Sequence, residues 1–530
     1  MMKRVTALWL FAILLALPHF SSAQNTNPTD AGATPLSANF DVWPEIVIND
    51  NTWHNYQVAG IGKDPDSGVE EFVVFGLDEE SPCGFAKAVI NQNGVAHART
   101  GGFISDEGTD FMSAWTCLNQ TSLGFFCGVT GDESSGNFVV SGIVSDIAVF
   151  RPSPPPNTTV AGMDYLVSEN SYAMFQRFDR HGAPVSKWTH GRNVPAGNHE
   201  NDPNYATGAS QSRACNGAVL SNGNTVYAIW DRSEGSPSDA FGLPGGRINL
   251  FSITNAAGNT FVANTQPAHG PDGGGNAING QDQQGTDASS KGWWAHRSDG
   301  AGGTVSFYRN DGTRFAEVQG YASIWTGAIL PGGVGSIQSG NREREVSAGG
   351  DYFYVATQYD DGSGVQHPAA LQWQVDPVGG TATPLRVILA DSDAPVTQSI
   401  NNNLISVSAN DAGDVVIGWR AIPAEGNVGA PVARIFAPDG TPYTDSFFAS
   451  GIADPTSDNA ETALGILSSN ASIKVGCSGG VACVSWISDN GVATAAGNNC
   501  CGNEKIPAVS TVARLFQFKA SSDVGNWDLY

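Results

Sequence analysis

The stretch "VPAGNHENDPNY", Val194 to Tyr205, gathers His199, Glu200, Asp202 and Tyr205 in a single connecting segment. Read back to His181, the same region holds three of the nine histidines of the chain. Imidazole titrates near neutral pH, so a histidine close to a tyrosine offers a base and an acid for proton transfer. Arg213 follows downstream, His190 and Arg192 lie upstream, and His296 with Arg297 forms a second His/Arg pair. A base, an acid and a guanidinium facing a carboxylate are the groups that β-elimination from a uronate needs. In that chemistry His199 or His296 takes the proton, Tyr205 protonates the leaving oxygen, and Arg213 or Arg297 clamps the carboxylate. Hydrolysis would instead use two carboxylates at a set separation. Asp202, Asp287, Asp360 and Asp391 are available for it, but acidic residues are so abundant here that they single out no pair. No P-loop, dinucleotide fingerprint, GxSxG elbow or HExxH stretch occurs.

Two further groups of residues have chemistry to offer. "KDPDSGVEEF" sets Asp64, Asp66 and Glu70 around Gly68, an oxygen-rich surround for a structural Ca²⁺ that lacks the spacing of an EF-hand loop. A turn entering the strand "EFVVFGL" accounts for the same residues and is the reading we favour. Trp293 and Trp294 stand beside His296, and Trp294 is a candidate to stack on a sugar ring. Consecutive strand residues point to opposite faces, so at most one of the two tryptophans is expected to be exposed.

The elements that must position these residues are short strands. Glycine is 64 of 530 residues, and long runs of helical periodicity are absent. One local signature recurs: an apolar strand end, three polar or turn residues, then glycine. It is "INQNG" at Gly94, "FDRHG" at Gly182, "YRNDG" at Gly312, "VDPVG" at Gly379 and "FAPDG" at Gly440, with the longer "ITNAAG" at Gly258. Such a turn needs a positive φ that glycine reaches without steric cost. Ahead of several turns stands a strand ending in tryptophan: "GNTVYAIW" to Trp230, "GDVVIGW" to Trp419 and "GVACVSW" to Trp486. A strand such as "APVARIF" follows, and the last of these, "STVARLFQF", has no turn after it.

Across most of residues 45–520 this pattern resembles the secreted β-propeller proteins, with their G-x-x-V-V-x-W strand and R-x-F-x-x-x-G hairpin. The resemblance implies an all-β ring of four-stranded blades, seven by the repeat count with six or eight as the neighbouring alternatives, and chain ends sharing one blade. The stretch "GWWAHRSDGAGGTVSFYRNDG" reads as one strand short. In such a blade the first-to-second and third-to-fourth turns share one end of the ring. The long segments therefore collect at the other, bringing His190, Arg192, His199, His269 and His367 to one face, with His190, Arg192, Trp294 and His367 as ligand contacts. The resemblance implies an extracellular polysaccharide as ligand on that face. The alternatives are a polysaccharide lyase acting there and a non-catalytic adhesion or matrix scaffold.

"MMKRVTALWLFAILLALPHFSSAQ" carries Lys3 and Arg4 before an apolar run and small residues ahead of Gln24, which reads as a secretory signal over residues 1–23. Residues 24–44 read as a linker and 45–530 as one propeller domain. A soluble monomer in the extracellular space or periplasm is expected, with no later apolar run long enough to span a bilayer. Removing the signal leaves 24 basic against 51 acidic residues, a formal charge of −27, which makes nucleic acid a poor partner. All eight cysteines follow the signal, as suits an oxidising compartment. Cys117 with Cys127 and Cys477 with Cys483 are close enough in sequence to staple hairpins, while Cys500 and Cys501 are adjacent.

Overall fold

A computed structural model describes residues 41–49, 53–78, 84–101, 128–145, 171–186, 189–190, 209–234, 247–256, 261–267, 284–297, 304–319, 336–337, 346–393, 405–421, 428–449, 461–462, 473–488, 497–498, 505–506 and 510–519. The glycine turns close hairpins as the sequence requires. Gly182, Gly312 and Gly440 each donate their N–H to the carbonyl three residues back, and their φ values of 79°, 87° and 83° lie where other residues are strained. In "VDPVG" the positive φ falls one residue later than the repeat suggests, on Gly380 at 71°.

These hairpins build seven blades. Blade one is Trp53–Lys63, Glu70–Asp78, Gly84–Asn91 and Gly94–Gly101. Blade two is Gly128–Gly131, Phe138–Ser145, Ser171–Phe178 and Thr189–His190, and blade three is Ala209–Val219, Thr225–Glu234, Arg247–Thr254 and Phe261–Pro267. Blade four is Gln284–Ser289, Gly292–Arg297, Thr304–Tyr308 and Arg314–Gln319, so the stretch that reads as a strand short is complete. Blade five runs from Val346–Gly349 through Tyr352–Asp360 and Gln366–Asp376 to Thr381–Leu389. Blade six is Ile405–Ala409, Val415–Ala421, Val428–Phe436 and Phe447–Phe448. Blade seven takes Ile473–Ser478, Val481–Ser488 and Ser510–Gln517 from the C-terminal end and its outermost strand from the N-terminal end. That outer strand is Asp41–Val42 and Ile46–Asn49, so pairing begins inside the stretch read as linker. Arg514 fastens the join by donating from Nε to the Trp43 carbonyl at 2.9 Å.

Apolar clusters fill the seams between consecutive blades. Trp293 packs into the seam of blades three and four, and Trp294 into that of blades four and five. They point to opposite faces as strand neighbours must, and both are fully buried. Trp294 therefore cannot stack on a ligand, which corrects its assignment as a sugar contact. Trp419 and Trp486 are buried in the same manner in the seams of blades five and six and of six and seven.

The expected Cys477–Cys483 disulfide is also overturned, since both are free and buried thiols. Ser478 pairs with Val481 across a two-residue turn, which sets Cys477 opposite Ala482 and Cys483 opposite Gly476. A one-residue offset across a hairpin puts two side chains on opposite faces of the sheet. Cys477 packs toward blade six and Cys483 toward blade one. Cys117, Cys127, Cys500 and Cys501 lie outside the described residues.

The innermost strands pack on one another around the whole ring, blade seven closing on blade one. A side chain of one inner strand accepts a backbone N–H from the next: Asp287 from Ala348 at 2.9 Å, Ser347 from Ala409 at 2.9 Å and Ser408 from Cys477 at 3.0 Å. Ser478 accepts from Gly62 at 3.1 Å and Gln57 from Val129 at 2.9 Å. Satisfying these buried donors spares about 1–3 kcal/mol each. The approach is close enough to demand glycine. A Cβ on Gly131 would sit 2.0 Å from the Gly60 carbonyl oxygen, and one on Gly60 would sit 2.2 Å from that of Cys477.

Candidate functional site

Antiparallel alternation places the first-to-second and third-to-fourth turns at one end of the ring, the turn end, and the remaining connections at the other, the loop end. At the turn end Asp64 is occupied by its own turn. Asp64 accepts the N–H groups of Asp66 at 3.3 Å and Ser67 at 3.1 Å, and the Ser67 hydroxyl at 2.6 Å. Those bonds hold its carboxyl below the ordinary range, the Ser67 hydroxyl contributing most. Blade two repeats the device, with Asp132 accepting the N–H and hydroxyl of Ser134. Glu70 is committed elsewhere, to the Ser478 hydroxyl at 2.7 Å. Asp64 thus closes the turn, and Glu70 faces away from it toward blade seven. Among the described residues no three His, Cys, Asp or Glu side chains gather to hold a metal ion.

The loop end carries a different arrangement in blade five, where His367 lies directly opposite Tyr359 across the second hairpin. Side chains in register share a face, and the two rings stack with centroids 4.8 Å apart. Beyond the fourth strand, Ala390 donates its N–H to the Pro368 carbonyl at 3.0 Å, which carries Asp391 alongside His367. His367 Nδ1 lies 2.7 Å from one oxygen of Asp391, and the Tyr359 hydroxyl donates to the other at 3.3 Å. Asp361, at the tip of the hairpin, reaches within 3.4 Å of His367 Nε2. Burial opposes the charged imidazole, but the bond to Asp391 and the two carboxylates prevail and raise its pKa. Burial and then the charge of Asp391 push the Tyr359 hydroxyl up. The Ser363 hydroxyl and N–H hold exposed Asp361 at about 2.

This cluster ties the second-to-third hairpin of blade five to the connection leading into blade six. His367 is only 4% exposed, so it sets the shape of the loop end from beneath, and Asp361 is the member that faces solvent. The backbones of His190, Arg213, His296 and Arg297 also come to the loop end. His190 ends the outer strand of blade two, and Arg213 sits at a bulge near the start of the inner strand of blade three. His296 and Arg297 end the second strand of blade four. His199, Tyr205 and Arg192 lie outside the described residues.

In the central channel, inner-strand residues such as Gln57, Thr130, Asp287, Ser347, Ser408 and Cys477 line a cavity of about 40 Å³. Asp287 occupies the ladder position that serine fills in blades five and six: "TDA" against "VSA" and "VSA". Burial raises its pKa to about 7 although the N–H groups of Ala288 and Ala348 and the Ser347 hydroxyl all donate to it. Glu133 and Asp411 line the same channel toward the turn end. Burial and then the charges of Asp411 and Glu70 push Glu133 well up, and burial and then Asp132 raise Asp411. Burial thus favours the neutral carboxyl form along this wall. The sequence names Asp287 only as one of several carboxylates; the TDA/VSA/VSA correspondence is the signal that could have set it apart.

No protein-family profile and no curated protein sequence matches the chain. Among solved structures it is similar to an α-L-arabinanase from Penicillium chrysogenum complexed with arabinobiose, at 9% identity, covering 89% of this chain and 98% of that one with a TM-score of 0.37. It is also similar to an α-L-arabinofuranosidase from Fusarium graminearum bound to an iminosugar inhibitor, at 9% identity over 76% and 99%, TM-score 0.37. An inulosucrase from Halalkalicoccus jeotgali bound to kestose matches at 9% identity over 70% and 97%, TM-score 0.31. Similarity at this level bears on neither substrate nor mechanism.

Proposed function

We propose that this protein is a secreted propeller that binds a neutral extracellular polysaccharide across its loop end. The observation supporting this reading is the composition of the connections that begin and end there. Of the six inter-blade segments, 102–127, 268–283, 390–404 and 449–472 contain no lysine or arginine, while 191–208 holds Arg192 and 320–345 holds Arg342 and Arg344. Segment 268–283 instead offers Asn276, Asn279, Gln281 and Gln283, and segment 390–404 offers Gln398 and Asn401 to Asn403. Amides donate and accept at once, which suits a hydroxyl-rich ligand, whereas a uronate polymer needs cations to neutralise it. Long connections on a rigid ring are also where ligand contacts concentrate.

Affinity electrophoresis of the full chain in gels containing neutral or uronate-containing polysaccharides tests the reading. Retardation by a neutral polymer, persisting at high salt, is the expected result. Retardation only by uronate polymers, with ultraviolet-absorbing unsaturated product, would replace it with the lyase. No retardation in any gel would leave the adhesion or scaffold reading.

A further inference from the structure

We propose that His97 and His181 together bind a divalent transition-metal ion, Cu²⁺ most tightly, at the outer seam between blades one and two. His97 stands on the outermost strand of blade one, and His181 in the third-to-fourth turn of blade two. His97 Nε2 and His181 Nδ1 are 3.0 Å apart, with the rings nearly perpendicular at 86°. Metal–imidazole bonds of about 2.0–2.1 Å put two nitrogens on one ion about 2.9–3.4 Å apart, the lower figure for a right-angled pair. The observed separation fits the right-angled arrangement of a tetragonal site, the geometry of Cu²⁺ with nitrogen and oxygen ligands. Water completes the coordination, because His181 is exposed and His97 only half-buried.

The scaffold fixes the turn that carries His181 without the metal. Asp179 accepts the N–H groups of His181 and Ala183, each at 2.9 Å, which fixes the turn. The neighbouring Arg180 pairs with buried Glu71 of blade one at 3.1 Å. Glu71, Asp64 and Asp179 against Arg180 leave the surroundings acidic, which favours a cation. In the metal-free pair one ring nitrogen donates to the other; on binding, the donor ring's proton moves to its remote nitrogen, which frees both facing nitrogens for the ion. Cu²⁺ heads the divalent affinity order for such ligands, with Ni²⁺ and Zn²⁺ weaker.

Cu²⁺ titrated into the full chain, followed by calorimetry and electron paramagnetic resonance, tests the site. One ion per chain with two imidazole nitrogens in the spectrum is expected, together with a raised melting temperature. His97→Ala and His181→Asn should each weaken that site roughly 100-fold, as loss of one arm of a chelate does. His181 is an exposed turn residue, so His181→Asn remains decisive if His97→Ala perturbs folding. Absence of a stoichiometric site in the wild-type chain, or unchanged affinity in His181→Asn with a native circular dichroism spectrum, would overturn the proposal.

Discussion

Asp287 and Asp391 are both carboxylates withdrawn into the body of the ring, and the protein holds them in opposite ways. Asp391, at the loop end of blade five, meets an imidazole at 2.7 Å and a tyrosine hydroxyl at 3.3 Å. Asp287, in the channel wall, meets only neutral donors, and burial lifts it to about 7. Where a cation-capable partner is present, the charge becomes a tie between two connections. Where only N–H and hydroxyl donors are present, the carboxylate does a serine's structural task and binds a proton more tightly than an exposed carboxylate does.

The largest expected effect breaks the Asp391 side of this contrast. His367→Leu leaves Asp391 buried without its imidazole, and chemical denaturation near neutral pH should show a loss of about 3–5 kcal/mol. Stability that does not change on this substitution would mean that the tie is not formed. The His367 contribution has a definite sign: its folded pKa is raised, so it is fully present below the unfolded value near 6.5 and lost as pH rises through the folded value.

Asp287→Ser sharpens the comparison by giving blade four the arrangement of blades five and six. A raised carboxyl pKa stabilises the folded state below the unfolded value near 3.8, and that contribution is lost as pH rises to about 7. Each unit of that shift carries about 1.4 kcal/mol. Asp287→Ser should therefore flatten stability against pH between about 4 and 7, and raise it relative to wild type above 7. An unaltered pH profile would show that Asp287 is not the group responsible. The smallest effect is expected at the turn end, where Asp64→Ala removes the turn's acceptor and costs about 1 kcal/mol. The same cost with and without a chelator is expected from thermal melts, and a chelator effect lost in the variant would restore a metal there.

Much of the ring is legible residue by residue, because its signals are local. Gly182, Gly312 and Gly440 terminate turns whose hydrogen bonds span only a few residues. The parity of the Cys477/Cys483 hairpin was legible too, since the Gly479–Gly480 turn already places the two thiols one register step out of line. The arrival of His367 at the loop end follows from strand alternation alone. Its partner does not, because Asp391 belongs to the next connection and reaches His367 through the path of a neighbouring strand.

Sequence by itself determined the all-β class, the repeated hairpins, the tryptophan strands and the sharing of the last blade between the chain ends, since each depends on local backbone preference or on alternation within one strand. Tertiary structure alone decided that Trp294 is buried in a seam, that Gly60 and Gly131 must lack a Cβ, and that Asp287 stands in a ladder of serines. It also decided that His97 meets His181. Those facts depend on how closely separate blades approach, a distance set by closing the ring and carried by no short stretch of the chain.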